Sequence, residues 1–233
     1  MLRAIIFDFD GVIADTEPLH YSAFRDVLAD EGVELTTRDY FDRYLGFSDT
    51  GAFREIAADR GYGWTADRIA AFASRKAVRF DRLELDADVL FPGAEAAIRR
   101  AASAVPLAIA SGALRSEIVR VLDRANLARA FTAIVAAGET AASKPAPDPY
   151  QRAVAMLSAA LGSPLNPAEC VAIEDSRWGL ESARMAGLRT VAVGHSYDAA
   201  ALADADLVIG DVSALDVSVL HRLCSPKSQR PTV

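Results

Sequence analysis

The chain has 233 residues, of which 52 % are hydrophobic, so it can bury a sizeable core and does not have the composition of a disordered protein. Its 25 basic and 32 acidic side chains give a net charge of −7, which disfavours a nucleic acid as partner. Two cysteines outside any Cys-x-x-Cys pair give no support to a zinc site or a disulfide framework. Because no apolar run reaches the ~18 residues of a membrane span and the N-terminus lacks a signal-peptide pattern, we expect a cytoplasmic protein without a membrane partner.

Short apolar runs alternate with helical patterns along most of the chain. The runs cover residues 4–9, 106–110, 133–137, 170–173, 190–193 and 207–209. Helical stretches between the later runs include residues 117–124, 149–161 and 179–186. This alternation is typical of βαβ units and predicts an α/β fold with a doubly wound, mostly parallel sheet.

Residues 16–85 interrupt the alternation, because they contain no convincing buried strand. Thr65 is a candidate N-cap for a long helix. The apolar residues fall at helical spacing, namely Leu19, Phe24, Val27, Leu28, Ile69, Phe72, Ala73 and Phe80. We therefore predict a helical module at 16–85, inserted into a core formed by 1–15 and 86–225. The polar tail, residues 226–233, is expected to be frayed.

An acidic cluster follows the first apolar run. Asp8 and Asp10 are two residues apart and share one face of an extended backbone, and two carboxylates leaving a buried strand require a cation or a proton. A calcium EF-hand loop also begins with Asp-x-Asp, but it needs Gly at position six and Glu at position twelve. Ile13 and Leu19 occupy those positions, so this type of calcium site is excluded.

Three further polar clusters follow later apolar runs. Ser111 and the glycine after it either bind an anion or cap a helix. Lys144, held by the proline that follows it, is either a fixed charge at a site or an ordinary solvated loop residue. Glu174 and Asp175 are candidate ligands of a hard cation, although Asp175 or Ser176 is equally suited to capping the next helix. Ligands of open α/β sheets bind at the carboxyl ends of the strands, so these clusters are expected to lie together.

In this order the clusters resemble the four motifs of the haloacid dehalogenase-like (HAD) superfamily of phosphohydrolases, and the resemblance spans nearly the whole chain. The matching segments are Asp8-Phe9-Asp10-Gly11-Val12, the Ser111 turn, Lys144-Pro145 and Glu174-Asp175-Ser176. Residues 15–20, Leu45-Gly46 and Arg75-Lys76 are similar to cap motifs of the phosphoglycolate phosphatase and β-phosphoglucomutase subgroup. The resemblance implies a Rossmann-like catalytic core with an inserted α-helical cap domain.

The resemblance also implies a catalytic mechanism that depends on Mg²⁺. Asp8 would be the nucleophile that forms an aspartyl-phosphate, and Asp10 would be the general acid and base. Mg²⁺ would be held by Asp8, the carbonyl group of Asp10 and Asp175, with Glu174 acting through water. The dehalogenases themselves lack the second aspartate, so Asp10 favours phosphate chemistry over cleavage of a carbon–halogen bond.

Further residues are implied in substrate binding. Ser111, the N–H group of Gly112 and Lys144 would bind the phosphoryl oxygens. In the cap, Lys76 would reach a distal anion of the substrate, unless it is an ordinary exposed helix lysine. His20 would assist proton transfer or form a polar hinge contact. His195 and His221 carry no readable signal.

These observations favour a phosphatase that acts on a small phosphorylated metabolite, with no obligatory protein partner. The alternative enzyme is a phosphosugar mutase, which must hold a second phosphate firmly. Related mutases carry an arginine shortly after a glycine of the cap, where this chain has Asp49, and Arg43 or Arg54 would have to replace it. A non-catalytic binding protein on the same fold is the third possibility.

Overall fold

The computed structural model describes residues 1–45 and 47–225, which contain a six-stranded sheet in the order β3-β2-β1-β4-β5-β6. The strands are β1 (Ala4–Phe7), β2 (Leu107–Ala110), β3 (Phe131–Val135), β4 (Cys170–Glu174), β5 (Arg189–Val193) and β6 (Leu207–Ile209). Every neighbouring pair in this sheet is parallel. The prediction of a doubly wound α/β fold is confirmed.

The described residues form helices between and beside these strands. The α-helices are α1 (Glu17–Ala29), α2 (Thr37–Asp39), α3 (Asp49–Arg60), α4 (Ala66–Asp86), α5 (Ala94–Ala102), α6 (Arg115–Arg124), α7 (Asp148–Leu161), α8 (Arg177–Met185) and α9 (Val217–Leu223). A π-helical turn covers Tyr40–Tyr44, and 3₁₀ turns cover Ala128–Ala130, Pro167–Glu169 and Val212–Ala214. Within the described ranges, no helix is both long and apolar enough to cross a membrane.

The chain divides into two compact units. Met1–Asp15 and the chain from Leu90 onward form the core unit, and Thr16–Val89 form the cap unit. The sequence prediction placed the second boundary after residue 85, which lies inside α4. The cap unit extends to Val89, which is buried. The predicted tail at 226–233 lies outside the described residues, as does Gly46.

The centre of the core unit is the pairing of β1 with β4. All residues of both strands are buried, and Ala4 and Phe7 pair with Cys170 and Ile173 respectively. Such continuous apolar runs suit strands with both faces covered, and α7 packs over one face of the sheet. Burial of these runs is the main driving force for folding of this unit, since it contributes ~25 cal/mol for each Å² of apolar surface removed from water.

Two strands end earlier than the sequence analysis predicted. The first strand was predicted to reach residue 9 but ends at Phe7, because the carbonyl of Phe9 accepts N–H groups of Ile13 (2.8 Å) and Ala14 (3.0 Å) in a tight turn. The third strand was predicted at 133–137 and spans Phe131–Val135. In both cases the polar cluster begins in a turn that follows the strand.

The cap unit is a helical bundle with its own core, and its described residues contain no strand. Its apolar core includes Phe24 of α1, Phe53 of α3 and Phe72 of α4. The Thr65 side chain accepts the N–H of Arg68 at 3.3 Å, as predicted for the N-cap of the long helix α4.

Candidate active site

Asp8 begins the turn after β1 and is buried, with 8 % of its surface exposed. Its backbone N–H still pairs with the carbonyl of Ile173 in β4 at 2.9 Å. The N–H of Phe9 donates to Asp8 Oδ1 at 2.7 Å, and Lys144 Nζ lies 3.0 Å from the same oxygen. These two donors fix the orientation of the Asp8 carboxylate before any ligand binds.

The turn after Asp8 passes close to the end of β4. Asp10 is half-buried, and its backbone forms an isolated bridge with Ala14. Gly11 has a φ of +73°, and a Cβ atom there would lie 1.9 Å from Asp175 Oδ2. Only glycine satisfies both constraints, so Gly11 lets the turn pack against Asp175.

The end of β4 places two more carboxylates beside Asp8. Glu174 is fully buried and Asp175 is 7 % exposed. Because β4 is the neighbour of β1 in the sheet, one carboxylate oxygen from each of Asp8, Glu174 and Asp175 lies within 4.8 Å of the others. The structure thus brings the predicted metal ligands together, with Asp10 following in the adjacent turn.

Two features of α8 support the end of β4. The Ser176 side chain accepts the N–H of Gly179 at 3.1 Å, so Ser176 caps α8 and leaves Asp175 to face the site. A Cβ atom at Gly179 would lie 1.9 Å from Glu174 Cδ, so the helix approaches this carboxylate as closely as a glycine allows.

Lys144, in the loop between β3 and α7, binds two of the three carboxylates. Its Nζ lies 2.6 Å from Glu174 Oε1 and 3.0 Å from Asp8 Oδ1, and its side chain is 14 % exposed. The interpretation of Lys144 as a solvated loop residue is wrong, because the ends of β1 and β4 supply two anionic partners. Sequence reasoning missed Tyr150 of α7, which is fully buried and donates to Glu174 Oε1 at 2.6 Å.

The electrostatics of this cluster follow from burial and from an excess of negative charge. Burial raises the pKa of Glu174 and of Asp175, and the nearby charge of Asp8 raises both pKa values further. Burial alone would lower the pKa of Lys144, but Asp8 and Glu174 outweigh that effect and raise it. Three buried carboxylates share one ammonium group, so the donor set fits a divalent oxygen-seeking cation such as Mg²⁺.

Ser111 and Gly112 follow β2, the other neighbour of β1. The N–H of Ser111 pairs with the carbonyl of Val135 at 2.9 Å, and its hydroxyl accepts the N–H of Ala113 at 3.1 Å. The helix that follows is capped at Leu114, so the interpretation of Ser111 as its N-cap is wrong. Gly112 is exposed and has open space where a Cβ atom would be. The backbone here is accessible to a ligand.

The turn after β5 contributes two residues that sequence reasoning missed. The Ser196 hydroxyl donates to Asp175 Oδ2. His195 Nδ1 lies 2.8 Å from the carbonyl oxygen of Gly11, and its Nε2 accepts the N–H of Val212 at 3.4 Å. A histidine and a serine within three residues of the end of a buried run were the available signal, but nothing in the sequence shows that β5 lies next to β4.

The cap unit contains a separate cluster formed by His20, Lys76 and Asp49. Lys76 is 2 % exposed, so its interpretation as an exposed helix lysine is wrong. Its Nζ lies 2.8 Å from Asp49 Oδ1 and 2.5 Å from His20 Nδ1. Burial and the Lys76 charge lower the pKa of His20 to about 3, so its ring is neutral at neutral pH and its Nδ1 accepts a hydrogen bond from the Lys76 ammonium group.

Two aromatic rings complete the environment of this ammonium group. Lys76 Nζ lies 5.0 Å from the ring centre of Phe24 and 4.9 Å from that of Phe80. His20 stacks on Phe80 with a centroid distance of 4.1 Å. The ammonium group is thus held by a carboxylate, a neutral imidazole and two aromatic faces.

The arginines that were considered as replacements for a mutase arginine lie on this unit as well. Arg43 forms an ion pair with Asp59 and lies over the ring of Tyr44. Arg54 is exposed on α3.

Comparisons with known proteins agree with this arrangement. Residues 5–193 match the haloacid dehalogenase-like hydrolase family. The chain is 37 % identical to protein CbbY of Rhodobacter capsulatus, over 95 % of this chain and 99 % of that protein. It is 29 % identical to β-phosphoglucomutase of Bacillus subtilis, over 94 % of each chain.

A solved structure gives the same result for the fold. The crystal structure of CbbY from Rhodobacter sphaeroides in complex with phosphate has a TM-score of 0.75 and 27 % identity, covering 92 % of this chain and 96 % of that one. The match to the family covers both strands that carry the carboxylates, the Lys144 loop and the whole cap unit. The chain therefore belongs to the haloacid dehalogenase-like hydrolase family, and it is a phosphohydrolase of that family.

Proposed function

We propose that this enzyme is a Mg²⁺-dependent phosphatase that hydrolyses a small phosphorylated metabolite through an aspartyl-phosphate on Asp8. The observation that carries the proposal is the arrangement around Asp8: its carboxylate is fixed by Phe9 N–H and Lys144, beside Glu174 and Asp175. The relative from R. sphaeroides was solved with phosphate, which supports phosphate chemistry in this fold.

The first step transfers the phosphoryl group to Asp8. A carboxylate oxygen of Asp8 attacks phosphorus, the bond from phosphorus to the leaving oxygen breaks, and Asp10 gives its proton to that oxygen. In the second step, water attacks phosphorus and the bond to Asp8 breaks, while Asp10 takes a proton from the water. The net reaction converts a phosphate monoester and water into an alcohol and inorganic phosphate.

The divalent cation would be held by Asp8, Asp175 and the carbonyl group of Asp10, with Glu174 acting through water. When bound, Mg²⁺ neutralises the excess of carboxylate charge and allows a phosphate dianion to approach. Glu174 keeps its position through Lys144 and Tyr150, at 2.6 Å each.

The groups that would bind the transferred phosphoryl oxygens come from two loops. Lys144 supplies a fixed ammonium group, and Ser111 and the accessible N–H of Gly112 supply hydrogen bonds. These donors would stabilise the charge on the equatorial oxygens through the transition state. In the cap, we propose His20 and Lys76 as substrate-binding residues, with Asp49 compensating the Lys76 charge.

The alternative function, a phosphosugar mutase, is favoured by the similarity to β-phosphoglucomutase along nearly the whole chain. It is disfavoured by Asp49, which binds the Lys76 ammonium group at 2.8 Å and leaves this cluster without net positive charge for a second phosphate. We therefore rank hydrolysis above isomerisation.

The test is phosphate release from a panel of sugar monophosphates and bisphosphates, with Mg²⁺ and with EDTA. We expect Mg²⁺-dependent release by the wild type and a loss of roughly a thousandfold or more in Asp8→Asn, which keeps the shape of the side chain and removes the nucleophilic charge. Asp123→Asn, at an exposed position of α6, is the matched control and should retain wild-type activity.

Two results would contradict the proposal. Substantial activity in purified, folded Asp8→Asn would exclude Asp8 as the nucleophile. Absence of Mg²⁺-dependent hydrolysis across the panel would favour a non-catalytic binding protein on this fold.

A further inference from the structure

The two oxygens of the Asp175 carboxylate have different surroundings. Oδ2 accepts the hydroxyl of Ser196 and faces the backbone of Gly11, where a Cβ atom would lie 1.9 Å from Oδ2 and 2.9 Å from Ser196 Oγ. One side of the carboxylate is therefore closed by the turn after β1 and by the turn after β5. We therefore expect Oδ1 to be the oxygen that faces a cation.

The position of Ser196 is fixed by the residues before it in the same turn. The N–H of Gly194 pairs with the carbonyl of Ile209 in β6 at 3.0 Å. His195 Nε2 accepts the N–H of Val212, so Nδ1 carries the proton and donates to the carbonyl of Gly11 at 2.8 Å.

The ring of His195 is also held by packing. It stacks on Phe91 with a centroid distance of 3.8 Å and an interplanar angle of 18°. Since the ring bonds at both nitrogens and packs on one face, the turn has little freedom to withdraw Ser196 from Asp175. The turn after β5 is thus held firmly in place beside Asp175, although it belongs to none of the four sequence motifs.

The number of carboxylate oxygens given to a cation distinguishes Mg²⁺ from Ca²⁺. Mg²⁺ demands near-octahedral geometry and is usually bound by one oxygen from each carboxylate, whereas Ca²⁺ takes six to eight ligands and readily accepts both oxygens of a carboxylate. A hydrogen bond from a hydroxyl to one oxygen of a carboxylate competes with bidentate binding, because it uses one of the lone pairs on that oxygen and withdraws charge from it.

We propose that Ser196 is a specificity-determining residue that restricts Asp175 to monodentate coordination and thereby makes the site favour Mg²⁺ over Ca²⁺. Ser196 acts through Asp175 and is a positioning residue, with His195 holding its turn in place. The inference rests on the Mg²⁺ site of the proposed function, and its test separates the two.

The experiment is calorimetric titration of the metal-free protein with Mg²⁺ and, separately, with Ca²⁺, without substrate. We expect Ser196→Ala to raise the ratio of Ca²⁺ affinity to Mg²⁺ affinity about tenfold, as for the loss of one hydrogen bond to a charged group. Ser196→Thr keeps the hydroxyl at an exposed position and should restore the wild-type ratio.

The control is Ser158→Ala in α7, which removes a half-buried serine hydroxyl bonded to the carbonyl of Val154 and should leave the ratio unchanged. Thermal melts of each variant establish that it is folded. A wild type that binds neither cation would overturn the Mg²⁺ site and this inference with it. Wild-type Mg²⁺ binding together with an unchanged ratio in folded Ser196→Ala would overturn the role of Ser196 alone.

Discussion

The core unit and the cap unit each hold a lysine among acidic or polar partners, but the two clusters differ in charge balance. In the core unit, Lys144 is shared by Asp8 and Glu174, and Asp175 adds a third carboxylate. In the cap unit, Lys76 is matched by a single carboxylate, Asp49.

This difference indicates what each cluster can accept. A buried excess of negative charge is costly until a cation joins it, so the donor set of the core cluster fits a divalent ion. The cap cluster is close to neutral because the imidazole of His20 carries no charge near neutral pH. It therefore has little net attraction for a second phosphate.

The largest effect is expected from reducing the charge excess of the core. Asp175→Asn removes one carboxylate while keeping an oxygen for the Ser196 hydroxyl, so the Mg²⁺ concentration for half-maximal activity should rise roughly a hundredfold or more. The metal-free protein should become more stable by about 1 kcal/mol, because less buried negative charge is left uncompensated.

Two measurements check this prediction: a Mg²⁺ titration of activity and chemical denaturation in EDTA. Asp123→Asn serves again as the control with an equal change of charge. An unchanged Mg²⁺ titration would exclude Asp175 as a ligand. A metal-free variant less stable than the wild type would contradict the charge-excess argument.

A smaller effect concerns the charge balance between Lys76 and Asp49 in the cap. With β-glucose 1-phosphate, Mg²⁺ and a catalytic bisphosphate primer, we expect free phosphate to form about tenfold faster than glucose 6-phosphate. The reason is that Asp49 already forms an ion pair with the Lys76 ammonium group. A doubly phosphorylated intermediate therefore gains little binding energy from Lys76 and dissociates from the enzyme. Phosphorus NMR follows both products in one sample.

A substitution of Asp49 tests directly whether this ion pair determines the ratio of the two products. Asp49→Asn leaves the Lys76 charge uncompensated and should shift products toward glucose 6-phosphate, whereas Glu55→Gln, an exposed change on the same helix, should not. Faster isomerisation than hydrolysis in the wild type would contradict the phosphatase assignment, and Arg54 or Arg43 would then be the first candidates for the missing cation.

The smallest effect is a pH dependence of cap stability that comes from His20. Its pKa is lowered from 6.5 to about 3, so below pH 6.5 the unfolded chain binds a proton that the folded cap does not. The stabilising contribution is present above pH 6.5 and is lost as the pH falls toward 3. Between pH 7.5 and 5.5 the wild type should lose about 1 kcal/mol more unfolding free energy than His20→Asn.

The cap has its own optical probe for this measurement. Trp64 packs edge-on against Phe72 within the cap unit. In a Trp178→Phe background, urea unfolding followed by tryptophan fluorescence reports on the cap. His221→Asn, in α9 of the core unit, should behave like the wild type. Equal pH dependence in His20→Asn and the wild type would show that His20 is not held neutral.

Much of the core fold could be predicted because its strands are continuous apolar runs. Strand ends were less predictable, since the Phe9 carbonyl accepts turn hydrogen bonds that end β1 at Phe7. Helix α5 was not identified, because its buried face consists mainly of alanines, which give a weak apolar signal. Local hydrogen bonding and small side chains therefore limited the prediction of elements.

In the candidate site, the sequence singled out the residues in short motifs but not the partners that support them. The motif containing Lys144 was visible, but Tyr150 reaches Glu174 only because α7 packs against the central strands. Ser196 meets Asp175 only because β5 follows β4 in the sheet. Sequence spacing does not determine such contacts, which depend on strand order.

The isolated bridge between Ala14 and Leu90 has a consequence for how the chain is assembled. It is antiparallel, and next to it the N–H of Phe91 pairs with the carbonyl of Ile13 at 3.0 Å. The chain leaves the core unit just after Ala14 and returns to it at Leu90, and these two points lie side by side. A segment inserted between them therefore needs only to have its own two ends close together. Since such positions tolerate domain insertion well, the segment between them is exchangeable as a module. Transplanting the corresponding segment of a relative between Ala14 and Leu90 should change substrate preference while leaving the carboxylate cluster intact.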